Sequence, residues 1–171
     1  MTNKLFVDFI SRLSIKCENK GIKAIIKRSK SHSVVSQTAG VMEVMELRPP
    51  DKCFDICHQV SVWYAIHSMH AENKTFGESL VELKSKMKSD MIDNKVLTLA
   101  RYNRKRMIRE IDKLIFLFKQ HKVAIDYASL IEDIKYWSKR YKHNSVQCRW
   151  IQNYSKVKSF KVEKEKEYET H

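Results

Sequence analysis

Asn103-Arg-Lys-Arg-Met-Ile-Arg-Glu-Ile-Asp-Lys-Leu-Ile-Phe-Leu-Phe-Lys-Gln-His121 is the most regular stretch of the chain and decides how the rest is read. Asn103 is a good N-cap, because its short amide can accept from the orphan backbone N–H groups of a first helical turn. The spacing that follows predicts the longest helix of the protein, 104–121. Ile108, Ile111, Leu114, Ile115 and Phe118 share one arc of the wheel, and Lys105, Arg106, Arg109 and Lys113 share the opposite one. One side belongs in a core and the other carries cations. Arg104 is the exception, since in an unbroken helix it would fall on the apolar arc; either Asn103 breaks the chain there or Arg104 is a partly buried cation.

The same helical period extends in both directions. Upstream, Leu5, Phe6, Phe9, Ile10 and Leu13 predict an amphipathic helix up to about Cys17, ended or kinked by Gly21. A short helix follows with Ile22, Ile25 and Ile26 on one side and Lys23, Lys27 and Lys30 on the other. Ser29–Thr38 is Ser-rich and reads as a loop, Val41–Leu47 as a short helix halted by Pro49 and Pro50, and Asp51 as the start of a helix over 51–70. Thr75-Phe-Gly-Glu78 fits a capping box for a helix to about Lys88, and 93–101 reads as another helix. Downstream, Asp126 caps a helix whose Leu130, Ile131, Ile134, Trp137 and Tyr141 face inward. Asn144 with Gln147 resembles a second capping box for a last helix through Tyr154. Lysine and glutamate then alternate over 156–171, which reads as a charged tail.

Composition agrees with this reading. A chain of 171 residues with only 3 Gly and 2 Pro is starved of the turns a many-stranded β fold needs, so the expected class is all-α, a bundle of about eight helices. The expected organisation is one helical domain over 1–155, with sub-bundles near 1–90 and 91–155. The longest apolar run, Leu114–Phe118, is five residues against the ~20 of a membrane span, and no cleavage pattern follows the N-terminal helix. A cytoplasmic protein with reduced thiols is expected.

The net charge of +13 is uneven: +4 over 1–47, zero over 48–100, +6 over 101–123, +2 over 124–155 and +1 over 156–171. A coat kept for solubility would be spread out. Clustering points instead to basic faces turned toward a polyanion.

Other chemistry is poorly supplied. Cys53, Cys57, His58, His67 and His70 invite a zinc site, but on one helix Cys57 and His67 would lie about 15 Å apart, beyond a single tetrahedral centre. Buried structural thiols are the favoured reading, and a metal-dependent enzyme the disfavoured one. With 3 Gly there is no phosphate-binding loop, no concentrated carboxylate pair is present, and no thiol sits in an activating context. No catalytic residue, metal or cofactor is assigned. What remains is a cationic surface interleaved with aromatics: Arg101, Tyr102, Arg104, Lys105, Arg106, Arg109 and Lys113, then Trp137, Lys139, Arg140 and Tyr141, then Arg149, Trp150 and Tyr154. Trp137 and Trp150 fall at helical spacing with apolar neighbours and read as core. The arginines, with their planar forks, are the phosphate candidates.

Leu97-Thr-Leu-Ala-Arg101-Tyr-Asn-Arg104, Arg109, Leu114–Phe118, Val123-Ala-Ile-Asp126-Tyr-Ala-Ser-Leu130 to Trp137, and Val146-Gln-Cys-Arg149-Trp150-Ile-Gln-Asn-Tyr154 together resemble the CasB family, the small subunit of the type I-E CRISPR surveillance complex Cascade. Tyr64-Ala-Ile-His67, Phe76-Gly-Glu-Ser-Leu80 and Ile25-Ile-Lys27-Arg28 look like three further family elements, so the resemblance covers about 5–155. It departs where Asn103 replaces an acid, Tyr127 a tryptophan and Cys148 an arginine.

The resemblance implies an all-helical, non-catalytic protein present as two copies in a guide-RNA ribonucleoprotein with the other Cascade subunits. Its implied ligands are the displaced single DNA strand and the RNA–DNA hybrid of an R-loop, in antiviral defence, with no small-molecule substrate. By similarity Lys27, Arg28, Lys52, Arg101, Arg104, Arg109, Lys113, Lys139 and Arg140 match or neighbour the family's basic positions; Arg106 and Arg149 join them from the cationic surface. The alternative is an independent helical nucleic-acid-binding or regulatory protein outside CRISPR.

Overall fold

The structure is a computed structural model that describes residues 3–30, 33–137 and 145–156. Eight helices are α1 Lys4–Lys16, α2 Lys20–Arg28, α3 Val34–Met45, α4 Phe54–Ile66, α5 Phe76–Met87, α6 Met91–Arg101, α7 Arg104–Gln120 and α8 Tyr127–Tyr136. A further helix, α9, covers 146–156. The class is all-α; among the described residues the only β pairing is one parallel bridge, His70 with Ile125.

Local chemistry sets most boundaries. Asn3, Asn19, Asn103 and Asp126 each accept first-turn N–H groups, and Thr75 with Glu78 completes the reciprocal capping box. The break after α1 is made at Cys17–Asn19, and Gly21 lies inside the first turn of α2 rather than ending α1. Ser145 Oγ accepts from Cys148 N at 3.2 Å and caps α9, one residue beyond the expected Asn144. Asn144, Tyr141 and the tail beyond 156 lie outside the described residues.

Two expectations are corrected. The Ser-rich stretch is not a loop through Thr38: α3 already begins at Val34, with Ser33 at its N-cap position. Packing overrides composition there, because α3 lies on α2 with Gly40 so close to Ser29 that a Cβ would meet Ser29 Cβ at 2.2 Å. The 51–70 helix is shorter at both ends. Lys52 takes a left-handed φ of 60°, which no helix interior accepts, so α4 starts after Cys53. At the other end His67 turns extended, its Nε2 paired with Val123 O at 2.6 Å, and the chain runs straight to the His70–Ile125 bridge.

α4 is the spine. It is apolar nearly all round and contacts α2, α3, α7 and α8, while α1 lies on α8 and α5 on α6. One hydrophobic cluster runs from Phe6 on α1 to Tyr154 on α9. Its aromatic seam joins Phe118 to Phe76 at 5.6 Å, Phe76 to Trp150 at 4.4 Å and Trp150 to Trp137 at 4.8 Å between ring centroids.

Candidate nucleic-acid interface

α7 presents the larger basic segment. Asn103 Oδ1 accepts from Arg106 N at 2.9 Å, so the helix starts afresh at Arg104 and that side chain is exposed. Met107, Ile111, Leu114, Ile115 and Phe118 point into the core, with Ile108 half-buried at its edge. Arg104, Lys105 and Arg106 fill the first turn, and no acid accompanies them. This opposes the helix dipole, whose positive end favours carboxylates. Three cations gathered at that positive end make it strongly anion-attracting.

The outward face continues with Arg109 and Lys113. Arg101, Arg104, Lys105 and Arg109 make no ion pair among the described residues. Arg106 lies over the Tyr102 ring, 4.1 Å from its centroid. Lys113 is engaged by Glu110 at 2.8 Å, and Lys95 holds the other oxygen of the same carboxylate at 2.8 Å. Hydrogen bonds from Lys113 and then Lys95 draw the Glu110 pKa down to about 2, so the carboxylate stays ionised and saturated.

The second basic segment is carried to α7 by one acid. Asp112 Oδ1 accepts from Trp63 Nε1 at 2.5 Å and Gln59 Nε2 at 3.2 Å, both on α4, and from Lys30 Nζ just past α2. Lys27 and Arg28 therefore end, exposed, in the last turn of a helix whose tip is anchored against the middle of α7. Cations suit that end of the dipole. Lys52 is exposed in the turn before α4, ahead of His58, whose ring meets Ser29 Oγ at 2.9 Å.

Arg149 stands apart. Its Nη2 pairs with Asp133 Oδ1 at 2.8 Å, and α9 is linked to α7 through the core by Trp150, Phe76 and the inward-facing Phe118. Lys139 and Arg140 lie outside the described residues. Trp137 and Trp150 are core side chains, their indole N–H groups donating to Tyr102 O and Asp133 Oδ2. Two residues escaped the sequence reading: Asp112, whose partners are remote in sequence, and Phe116, exposed amid the cations of α7. The wheel would have shown Phe116.

The cysteine and histidine set is dispersed. Cys17, Cys53 and Cys57 are buried, and burial pushes the Cys57 thiol up to about 12. His58, His67 and His70 each pair elsewhere, with Ser29 Oγ, Val123 O and Ile125 O, and burial lowers the pKa of His58 and His67. Among the described residues no group of three His, Cys, Asp or Glu side chains could hold a metal ion, and no helix is long and apolar enough to cross a membrane.

A search of curated proteins gives no match. A crystal structure of a CRISPR-associated protein of the Cse2 family from Thermus thermophilus matches with a TM-score of 0.72 at 22% identity, covering 91% of this chain and 99% of that one. The family model for CRISPR-associated protein Cse2 matches residues 26–154, well over half the chain, from within α2 to within α9. The chain belongs to the Cse2 family, that of CasB, the small subunit of type I-E Cascade.

Proposed function

We propose that this protein is a non-catalytic subunit of a type I-E Cascade complex that holds nucleic-acid backbone, chiefly the displaced DNA strand beside the guide–target hybrid. The observation that carries this reading is the Asp112 junction, which ties Lys30, just past the basic end of α2, to the cation-bearing helix α7. Exchanging a DNA duplex for an RNA–DNA hybrid is nearly neutral in energy, so modest protein contacts to the freed strand tip the balance. Guide pairing reads the sequence, and this subunit needs only phosphate neutralisation without base-edge readout. Lys27, Arg28, Arg101, Arg104, Lys105 and Arg109 are the phosphate ligands on this reading, with Lys52, Arg106 and Lys113 at its margin. Residues 1–155 act as one helical unit, and a second copy with the larger guide-RNA ribonucleoprotein completes the assembly.

The test is binding of the full chain to a fluorescent single-stranded oligonucleotide over a range of salt. Changing Arg104 and Arg109 together to alanine should lower affinity and reduce the log-salt slope by about 0.7 for each phosphate no longer neutralised. An unchanged slope would show that these arginines face something else. Sequence preference for duplex DNA by the isolated chain would favour an independent DNA-binding protein. Purification of a tagged copy from its host should recover a guide RNA with several larger proteins; recovery of neither would overturn the Cascade assignment.

A further inference from the structure

Phe116 is the one aromatic among the large apolar side chains exposed on the described surface, at 58% exposure; the others are Leu, Ile, Val and Met, most of them on α1 and α3. Scattered exposed apolar residues need no explanation, but the position of this one is specific. At about 100° per residue, Phe116 falls within about 20° of both Lys105 and Arg109 on the wheel. It lies at the centre of the outward arc of α7, about 10 Å along the axis from Arg109 and about 4.5 Å from Lys113. The acids that could repel a polyanion there are both engaged. Asp112, one turn before the ring, is held by Lys30, Gln59 and Trp63, and Glu110 is held by Lys95 and Lys113.

We propose that Phe116 is a stacking platform for an unpaired base of a single strand whose phosphates run over Lys105, Arg109 and Lys113. This rests on the strand-holding reading above and goes beyond it, since cations alone would grip duplex and single strand alike. A ring flanked by cations selects a strand whose bases are free to turn inward, and it does so for any base, because every base has a π-face. An apolar protein partner would seat poorly on a ring flanked by exposed cations that it would have to desolvate.

The test compares an oligothymidylate with an abasic strand of equal length, each titrated against the full chain at low salt. Phe116→Leu should weaken oligothymidylate binding about tenfold, the scale of one base–aromatic stack, and leave abasic binding unchanged. Phe116→Trp should restore affinity, and its exposed indole should be quenched by oligothymidylate and not by the abasic strand. Trp63, Trp137 and Trp150 are all buried, so the new signal stands apart. Phe116 packs little, and circular dichroism should be unaltered in both variants.

Equal losses on both strands, or none on either, overturn the stacking role. If the Arg104 and Arg109 double variant loses both strands while Phe116→Leu loses neither, the strand-holding reading stands and the platform falls. If the unmodified chain binds neither strand, both fall. Unchanged strand binding with weakened recovery of other Cascade subunits would make Phe116 a protein-docking residue and overturn the proposal.

Discussion

Trp63 Nε1 donates to Asp112 Oδ1 at 2.5 Å, tying the fully buried indole of the spine helix to the cation-bearing helix. The same oxygen takes Gln59 and Lys30, so α2, α4 and α7 meet at one carboxylate. Asp112→Ala leaves a buried indole N–H without its acceptor, at a cost of about 1–3 kcal/mol. Melting should fall by about 2–4 °C for each kcal/mol in a chain of this size. Asp112→Asn keeps an acceptor and should recover much of that, yet release Lys30 and the tip of α2. Strand affinity should then drop further than melting does. Equal melting for Asp112→Ala and the unmodified chain would dismiss the junction.

The first turn of α7 sets stability against binding. Arg104 and Lys105 oppose the helix dipole at a cost of about 0.3–1 kcal/mol each. Replacing both by glutamate reverses that sign. Arg104→Glu with Lys105→Glu should therefore raise the melting temperature by a few degrees while strand affinity falls by more than in the alanine variants. A double variant that melts lower, or binds as before, would show that this turn is not kept for an anion.

Two glycines inside helices should respond differently. A Cβ on Gly77 would meet Trp150 O at 2.7 Å and Tyr154 N at 3.1 Å, backbone atoms of α9 that cannot turn aside. Gly77→Ala should lose about 1–3 kcal/mol despite the better helix propensity of alanine, with a change in Trp150 emission as α9 is pushed off α5. A Cβ on Gly21 meets Asn19 Oδ1 at 3.2 Å, the cap oxygen that accepts from Gly21 N and Ile22 N, so its helix-propensity gain is offset by a displaced cap and Gly21→Ala should change stability by less than about 1 kcal/mol. Urea unfolding of both decides the matter; a gain at Gly77 would mean that α5 and α9 are not in close contact.

How much could be read from the chain follows from the range of each interaction. Asn103, Thr75 and Asp126 announce their helices because a cap and its N–H partners lie within three residues. The start of α3 was hidden, since Ser33–Thr38 looks like a loop by composition and becomes helix through Val44 in the core and Gly40 against Ser29. The end of α4 was hidden for the same reason: His67 leaves the helix for Val123, 56 residues away. The cations of α7 were visible on a wheel. That α2 brings its own cations beside them was not, because Lys30 finds Asp112 across 82 residues.

Asp133 provides the pH dependence. It lies almost fully buried under α9, accepting from Trp150 Nε1 at 2.5 Å and Arg149 Nη2 at 2.8 Å, with Glu132 and Asp126 nearby. Burial dominates these contacts and raises its pKa to about 6, above the ordinary carboxylate value near 4. Between those values the folded chain holds a proton that the unfolded chain has released. Unfolding free energy therefore falls as pH rises through that interval, and the protonated carboxyl is the better tenant of the site. Asp133→Asn mimics that neutral form and keeps an acceptor for Trp150. Its melting temperature relative to the unmodified chain should rise steadily between about pH 4 and pH 6 and level off above. A difference that stays flat across that window would mean that Arg149 offsets the cost of burial in full.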